Sequence, residues 1–303
     1  MPELPEVQTT VNGLNKKVLN RAFVDVWSDW KKLVKKPKNF EEFKKEIKNK
    51  KIIKIYRRAK NIIFDLSADE AGLSENYSIL LHQKMTGHML VGKWQMENNV
   101  WIPVDKKSPL NDPYNRFLHL IFFLDNGEMM ALSDARKFAK VELWKTKELE
   151  KELEKTGPEP LEKSFTFNRF KEAILYKNEK NLRHGKVKQI IMDPSVIAGV
   201  GNIYASESLW LAKIHPEKNI AKLSEKELKS LYEAIQKVLI SAVKLGGESF
   251  SDYRKPDGTK GGFDTERRVY KRENQKCHRC GEKIKRIHFA GRSAFFCPAC
   301  QTL

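Results

Sequence analysis

A chain of 303 residues with 40% apolar content can build more than one sizeable core without disulfides. Its 57 lysines and arginines against 39 aspartates and glutamates leave a net charge of +18, which favours a polyanionic partner. No apolar run approaches the roughly 18 residues that span a bilayer, the polar opening 1–10 lacks a basic-then-apolar leader, and the basic residues are not stacked on one amphipathic segment, so no membrane partner and a cytoplasmic location are expected.

In chain order, a helix is predicted over 3–16 and a strand over 23–27. A second helix is predicted over 39–48, where Asn39 and Glu42 form a capping-box-like pair ahead of Phe43 and Ile47. β-branched and aromatic runs predict strands at 52–56, 61–66, 78–82, 117–124 and 140–144, with Asp125, Asn126 and Gly127 as a hairpin turn. The segment 98–115, rich in Lys, Asp and Pro, reads as a surface loop. These elements predict a β-rich first domain over 1–146 with helices flanking its sheets. The Lys/Glu/Leu run 145–155, closed by Thr156, Gly157 and Pro158, reads as a charged linker, and 147–160 is assigned to it.

Helices dominate the next domain, 161–268. The clearest starts at Ser224, with Glu227 three residues on and Leu223 placed to staple against Leu228, and stops at Gly246 and Gly247. Leu228, Leu231, Ile235, Val238, Leu239 and Ala242 trace its packing face. No internal repeat points to a solenoid.

Cys277, Cys280, Cys297 and Cys300 form two Cys-x-x-Cys knuckles sixteen residues apart, and they are all the cysteines in the chain. That spacing suits four thiolates around one structural zinc, with no position left open for catalysis; two disulfides would be odd in a chain with no leader. The finger is assigned to 269–303. Between the knuckles, Lys283, Lys285, Arg286 and Arg292 alternate with Ile284, Ile287, Phe289, Phe295 and Phe296 about Ala290 and Gly291. The pattern is a basic β-hairpin, suited to phosphate contact or simply to solvation. Ala198-Gly199-Val200-Gly201-Asn202 reads as a glycine turn opening a helix, either a phosphate grip or a close helix–helix connection. Met1 precedes the small residue Pro2, so methionine removal would expose a secondary amine that titrates near neutrality and can form a Schiff base. Glu3 and Glu6 beside it are equally at home at a helix N-terminus.

Taken together, Met1-Pro-Glu-Leu-Pro-Glu-Val7, Arg57-Arg-Ala-Lys60, His82-Gln-Lys-Met-Thr-Gly87, Asp134-Ala-Arg-Lys-Phe138, Lys188 through Asp193 with Ala198-Gly-Val-Gly-Asn-Ile-Tyr204, and the four-cysteine tail resemble, in the same order, the motifs of formamidopyrimidine-DNA glycosylases. The resemblance covers nearly the whole chain. It implies an α+β multidomain fold: an N-terminal β-sandwich, a helical domain with a helix-two-turn-helix motif, and a zinc-finger hairpin.

By the same resemblance, Pro2 would attack C1′ of a damaged nucleotide, Glu3 would protonate the sugar ring oxygen, and Lys60 would sit beside the flipped nucleotide and its phosphate. Met85, Arg136 and Phe138 would fill the gap left in the stack. Lys188, Asn202 and Arg292 would contact phosphates, and His82 and His119 would help line the site. The implied function is a monomeric base-excision glycosylase and AP lyase that acts on oxidised purines in double-stranded DNA and is associated with the nucleoid. Leu4-Pro5 and the glycine-rich stretch 249–263, with Gly258, Gly261 and Gly262 able to offer backbone amides to a flipped 8-oxoguanine, favour this branch over the pyrimidine-directed endonuclease VIII branch. A catalytically silent DNA-binding zinc protein would need no free proline amine. Ala135, Ala139 and Gln189 depart from the residues usual in the family, which puts the aim of the arginine loop in question.

Overall fold

The structure is a computed structural model that describes residues 1–68, 76–178, 181–289 and 291–303. It forms two compact units, Met1–Glu154 with Leu245–Asp264, and Lys155–Lys244 with Thr265–Leu303. The expected helical domain over 161–268 is therefore interrupted: its stretch 245–264 packs with the first unit.

In the first unit, helix α1 (Leu4–Lys17) starts at Glu3 and buries Leu4, Val7, Val11 and Leu14, the spacing of one helix face. Helix α2 (Phe40–Ile47) is capped by Asn39, whose side chain accepts the amides of Glu41 and Glu42. The strands are β1 (Phe23–Trp27), β2 (Val34–Lys36), β3 (Ile52–Arg58), β4 (Asn61–Leu66), β5 (Tyr77–His82), β6 (His88–Gly92), β7 (Trp94–Glu97), β8 (Val100–Pro103), β9 (Leu118–Leu124), β10 (Met129–Ser133) and β11 (Lys140–Lys145). They make a four-stranded sheet, β1-β9-β10-β6, and a five-stranded sheet, β2-β11-β5-β4-β3, with β7 and β8 as a separate hairpin. Phe23, Phe64, Leu81, Phe122 and Val141 meet in a core shared by both sheets, α1 and α2, as a β-sandwich requires.

Both sheets are also covered outside. Alternation along β9 sends Leu120, Phe122 and Leu124 inward and Ile121 and Phe123 outward, where they pack with Trp94, Leu110 and Trp101; Leu118 joins that outer cluster across a register shift opposite Leu132 and Ser133. The segment 98–115 thus differs from the expected surface loop, because Leu110 and Asn115 are buried. The expected linker 145–155 likewise contains a helix, α3 (Thr146–Leu153), whose Leu149 is buried against Ile63 and Leu80. A single apolar stripe suffices to hold so charged a helix once a sheet face lies under it.

The second unit holds helices α4 (Phe167–Leu175), α5 (Val187–Ile191), α6 (Asn202–Leu211) and α7 (Glu225–Lys244), and two strand pairs, β12 (Tyr176–Asn178) with β13 (Asn181–Leu182) and β14 (Lys285–Phe289) with β15 (Arg292–Phe296). The predicted box is present before α7: Ser224 N–H donates to Glu227 Oε2 at 2.9 Å, and Glu227 N–H to Ser224 Oγ at 3.3 Å. Gly246 and Gly247 follow at φ +79° and +81°, a conformation that stops a helix. The two turns between α5 and α6 are fastened by Asp193 Oδ1, which accepts Ser195 N–H at 2.9 Å, and by Gly157 N–H donating to Pro194 O at 2.9 Å. No helix among the described residues is long and apolar enough to cross a membrane.

Candidate active site and nucleic-acid interface

The chain terminus is held by the start of α1. Glu3 N–H donates to Glu6 Oε2 at 2.7 Å, closing a capping box, while Glu6 Oε1 accepts Glu248 N–H at 2.7 Å. Tyr253 Oη–H also donates to Glu6 O at 3.0 Å. Pro2, Glu3 and Glu6 are buried. Burial lowers the pKa of the terminal amine, carried here by Met1; Glu3, Glu6 and Asp252 oppose the shift and Lys60 adds to it. One amine therefore feels three carboxylates and one ammonium at close range. Pro2 nitrogen is an amide while Met1 remains.

Lys60 lies in the tight connection from β3 to β4, where Ala59 takes φ +53°. Arg57 braces that turn, its Nη1 donating to Ala59 O at 2.9 Å and its Nε to Gln8 Oε1 on α1 at 3.0 Å. His82, at the end of β5, accepts Lys84 N–H at Nδ1 (2.9 Å), which leaves the proton on Nε2. Burial, then Lys84, Lys140 and Lys60, push its pKa down to about 3, so the ring is neutral at physiological pH.

Met85 and Phe138 are 42% and 51% exposed. They line an open cavity of about 410 Å³ together with Met1, Lys35, Lys84 and Lys137. The structure thus brings the chain terminus and two of the three expected gap-filling residues to one cavity. The third, Arg136, stacks its guanidinium 4.5 Å from the Phe138 ring centre. Despite Ala135 and Ala139, the 134–139 turn is well defined by buried Asp134, which accepts Ala139 N–H at 2.7 Å, Arg136 N–H at 3.3 Å and the Thr86 hydroxyl. His119 is buried and turned to Asp29, with Nδ1 2.8 Å from Oδ1.

In the second unit, Asn202 is the first residue of α6. Its Oδ1 is buried without a hydrogen-bond partner among the described residues. Arg292 opens β15 at the exposed end of the finger hairpin, next to Gly291 at φ +72°. The Ala290 position of that turn lies outside the described residues. Lys188 departs from the expected phosphate contact: the residue is 0% exposed and its Nζ donates to Ser293 O on β15 at 3.2 Å. An ammonium buried in this way needs acceptors, and the hairpin carbonyl supplies one.

Cys277, Cys280, Cys297 and Cys300 place their sulfurs within 4.8 Å of one another. A tetrahedral zinc with bonds of about 2.3 Å requires sulfur separations of about 3.8 Å, which this cluster accommodates. Trp210 Nε1 and Arg279 N–H each donate to Cys277 Sγ at 3.4 Å, as donors around a bound thiolate do. The four cysteines hold one structural zinc, which closes the finger and has no position left for chemistry. Glu207 on α6 supports the approach to the finger by accepting the amides of Arg268, Val269 and Tyr270 at 2.8, 3.0 and 2.8 Å.

Comparison with known proteins agrees with this layout. Residues 1–141 match the family model of the formamidopyrimidine-DNA glycosylase N-terminal domain, 156–254 that of the formamidopyrimidine-DNA glycosylase H2TH domain, and 274–303 that of a zinc finger found in FPG and IleRS. The formamidopyrimidine-DNA glycosylase of Pelotomaculum thermopropionicum is 35% identical over 303 residues, covering 99% of each chain. Lactococcus lactis Fpg (MutM), solved with a Fapy-dG containing DNA, superposes with a TM-score of 0.81 at 31% identity, covering 99% of this chain and 100% of that one. MutM solved with carbocyclic 8-oxo-G containing DNA gives 0.81 at 31% identity, covering 100% of both. These matches define an enzyme of base-excision DNA repair. The chain belongs to the formamidopyrimidine-DNA glycosylase family.

Proposed function

We propose that this chain, once Met1 is removed, excises oxidised purines such as 8-oxoguanine and formamidopyrimidines from duplex DNA and then cuts the strand as an AP lyase. The observation that carries the proposal is the terminal amine itself. Carried here by half-buried Met1, one residue ahead of buried Pro2, it is lowered in pKa by desolvation and feels the charges of Glu3, Glu6, Asp252 and Lys60, and Met1 shares a cavity with Met85 and Phe138.

In this reading the neutral Pro2 nitrogen attacks C1′, the C1′–N9 bond breaks with its electron pair leaving on the base, and the Glu3 carboxylate takes the proton from the resulting ammonium and passes it to the ring oxygen as the sugar opens to the iminium. The resulting C1′ iminium acidifies the C2′ proton; its loss expels the 3′ phosphate, and loss of the C4′ proton then expels the 5′ phosphate. Lys60 supplies a cation beside the lesion phosphate. Met85 and Phe138 wedge into the stack while Arg136 bonds the orphaned base, offsetting part of the cost of flipping. Segment 249–263 receives the flipped base, and Asn202 and Arg292 take backbone phosphates. Lys188 acts as a strut under the hairpin. The purine assignment is supported by the lesions in the solved relatives, Fapy-dG and carbocyclic 8-oxo-G.

Borohydride trapping tests this on duplexes carrying 8-oxoguanine or an oxidised pyrimidine, with Pro2→Gly as control. The expected result is a covalent adduct, stronger on 8-oxoguanine and lost in the control. No adduct on either duplex would overturn the reading, and preference for the pyrimidine would reassign the branch.

A further inference from the structure

Four buried polar residues of the first unit, Asn115, His88, Thr86 and Asp134, form a run from one loop to another. Asn115 donates from Nδ2 to Gly258 O at 3.2 Å and to Pro109 O at 3.1 Å. Two carbonyl partners fix the orientation of its amide, so Oδ1 is the atom facing His88 Nε2 at 3.0 Å, and Nε2 must carry the proton. With the proton on Nε2, Nδ1 presents a lone pair and makes no hydrogen bond to Thr86 O, 3.3 Å away, so the step from His88 to Thr86 is the main chain through Gly87. The Thr86 hydroxyl donates to Asp134 Oδ1, and both oxygens accept Arg136 N–H, at 3.2 and 3.3 Å. Asn115 and His88 are each 1% exposed, and Thr86 and Asp134 are also buried. Water cannot readily replace a partner lost from such a network.

Its two ends are functional stretches in the reading above. Gly258 lies in the base-receiving segment 249–263, while Thr86 follows Met85 and Asp134 shapes the turn of Arg136 and Phe138. The Gly258 end is tightly fixed: its φ is +87°, and a Cβ there would lie 2.7 Å from Leu110 N. The segment is also gripped where Asp112 pairs with buried Arg254 at 3.0 Å, with the Tyr114 ring 4.6 Å from that guanidinium, and where Val91 N–H donates to Pro256 O at 2.8 Å. Residues 109–115 therefore hold the base-receiving segment, and Asn115 continues that hold toward the Met85 loop through His88, while Tyr114 O accepts the Ser133 hydroxyl at 3.1 Å beside Asp134.

We propose that Asn115 and His88 are positioning residues that couple the segment receiving the flipped base to the loops carrying Met85 and Arg136, so that occupancy at one end sets the order of the other. This rests on the function proposed above. The physical warrant is a buried path, hydrogen-bonded from Gly258 to His88 and from Thr86 to Arg136 and joined by the main chain between, with a functional loop at each end.

The test uses Asn115→Leu, close in shape but unable to donate to Gly258 or accept from His88. Asn115→Asp, which keeps the acceptor and loses the donor, is the second variant should the first not fold. For each folded protein, 8-oxoguanine excision is measured against cleavage of a preformed abasic site, with each of the four bases opposite the lesion. The expected result is a roughly tenfold fall in the lesion-to-abasic rate ratio, together with a flattening of opposite-base selectivity. A fall in the ratio with selectivity intact would overturn the coupling, since Asn115 would then only buttress its own segment. An unchanged ratio, or equal losses on both substrates, would also overturn it. A wild-type protein inactive on both duplexes would instead defeat the proposed function, and the coupling with it.

Discussion

Glu6 Oε1 accepts the backbone N–H of Glu248 at 2.7 Å, joining the first turn of the chain to a segment 242 residues later. The same carboxylate holds Glu3 through its other oxygen. Gly247 permits this approach, because a Cβ there would lie 2.8 Å from Glu6 Oε1. Glu6→Ala should therefore strand two amides, at about 1–3 kcal/mol for each one left buried without a partner. Urea unfolding is expected to show the loss, and trapping on damaged DNA should fall with it. Gly247→Ala, strained at φ +81° as well as crowded, should act in the same direction.

Trapping should rise with pH through the pKa of the terminal amine, since only the neutral amine attacks. Burial lowers the pKa of the Met1 amine at this terminus, and the Pro2 amine that replaces it, on a buried residue, is expected to shift in the same direction from its own unperturbed value. Lys60→Met removes a neighbouring cation and should move the midpoint to higher pH; Glu3→Gln removes an anion and should move it lower. The sign for stability follows from the same shift. A base whose folded pKa is depressed destabilises the fold fully below that pKa and not at all above its unfolded value. A pH–rate profile of adduct formation checks both variants by midpoint, whatever their rates.

Metal analysis should find one zinc per chain. Cys297→Ser, or chelation, should release it and loosen the cluster of Trp210, Val269, Ile284 and Phe295 that packs around the knuckles. Duplex affinity is then expected to fall about tenfold, equivalent to about 1.4 kcal/mol. Filter binding against metal content is the measurement.

Glu207→Ala should be among the more destabilising single changes in the second unit. It leaves the Val269 amide buried without its acceptor, at about 1–3 kcal/mol, and strips the half-buried amides of Arg268 and Tyr270 of theirs as well. Thermal unfolding of the variant against the parent chain reads it directly.

Elements set by local pattern were legible in the sequence. The strands at 23–27 and 61–66, the Asn39 cap and the Ser224–Glu227 box depend on residues within a few positions of one another. The same holds for the four-cysteine cluster. What escaped depends on partners distant in the chain. α3 shows almost no apolar stripe until Ile63 and Leu80 lie beneath it. β10, Met-Met-Ala-Leu-Ser, has few β-branched residues and takes its character from the strands on either side. Asn115 looks like any loop asparagine until Gly258, 143 residues away, accepts from it. Lys188 follows the same logic, since no motif distinguishes a lysine aimed at a phosphate from one aimed at a hairpin carbonyl.

Met85 and Phe138 stand in water, the latter under the Arg136 guanidinium. In the proposed function they are buried in a base stack, a step that would draw on the hydrophobic effect, which weakens on cooling, whereas attraction between basic side chains and phosphate does not depend on it. Lesion capture and plain duplex binding should therefore separate with temperature: in the cold the protein keeps its hold on DNA while losing part of its advantage at damaged sites.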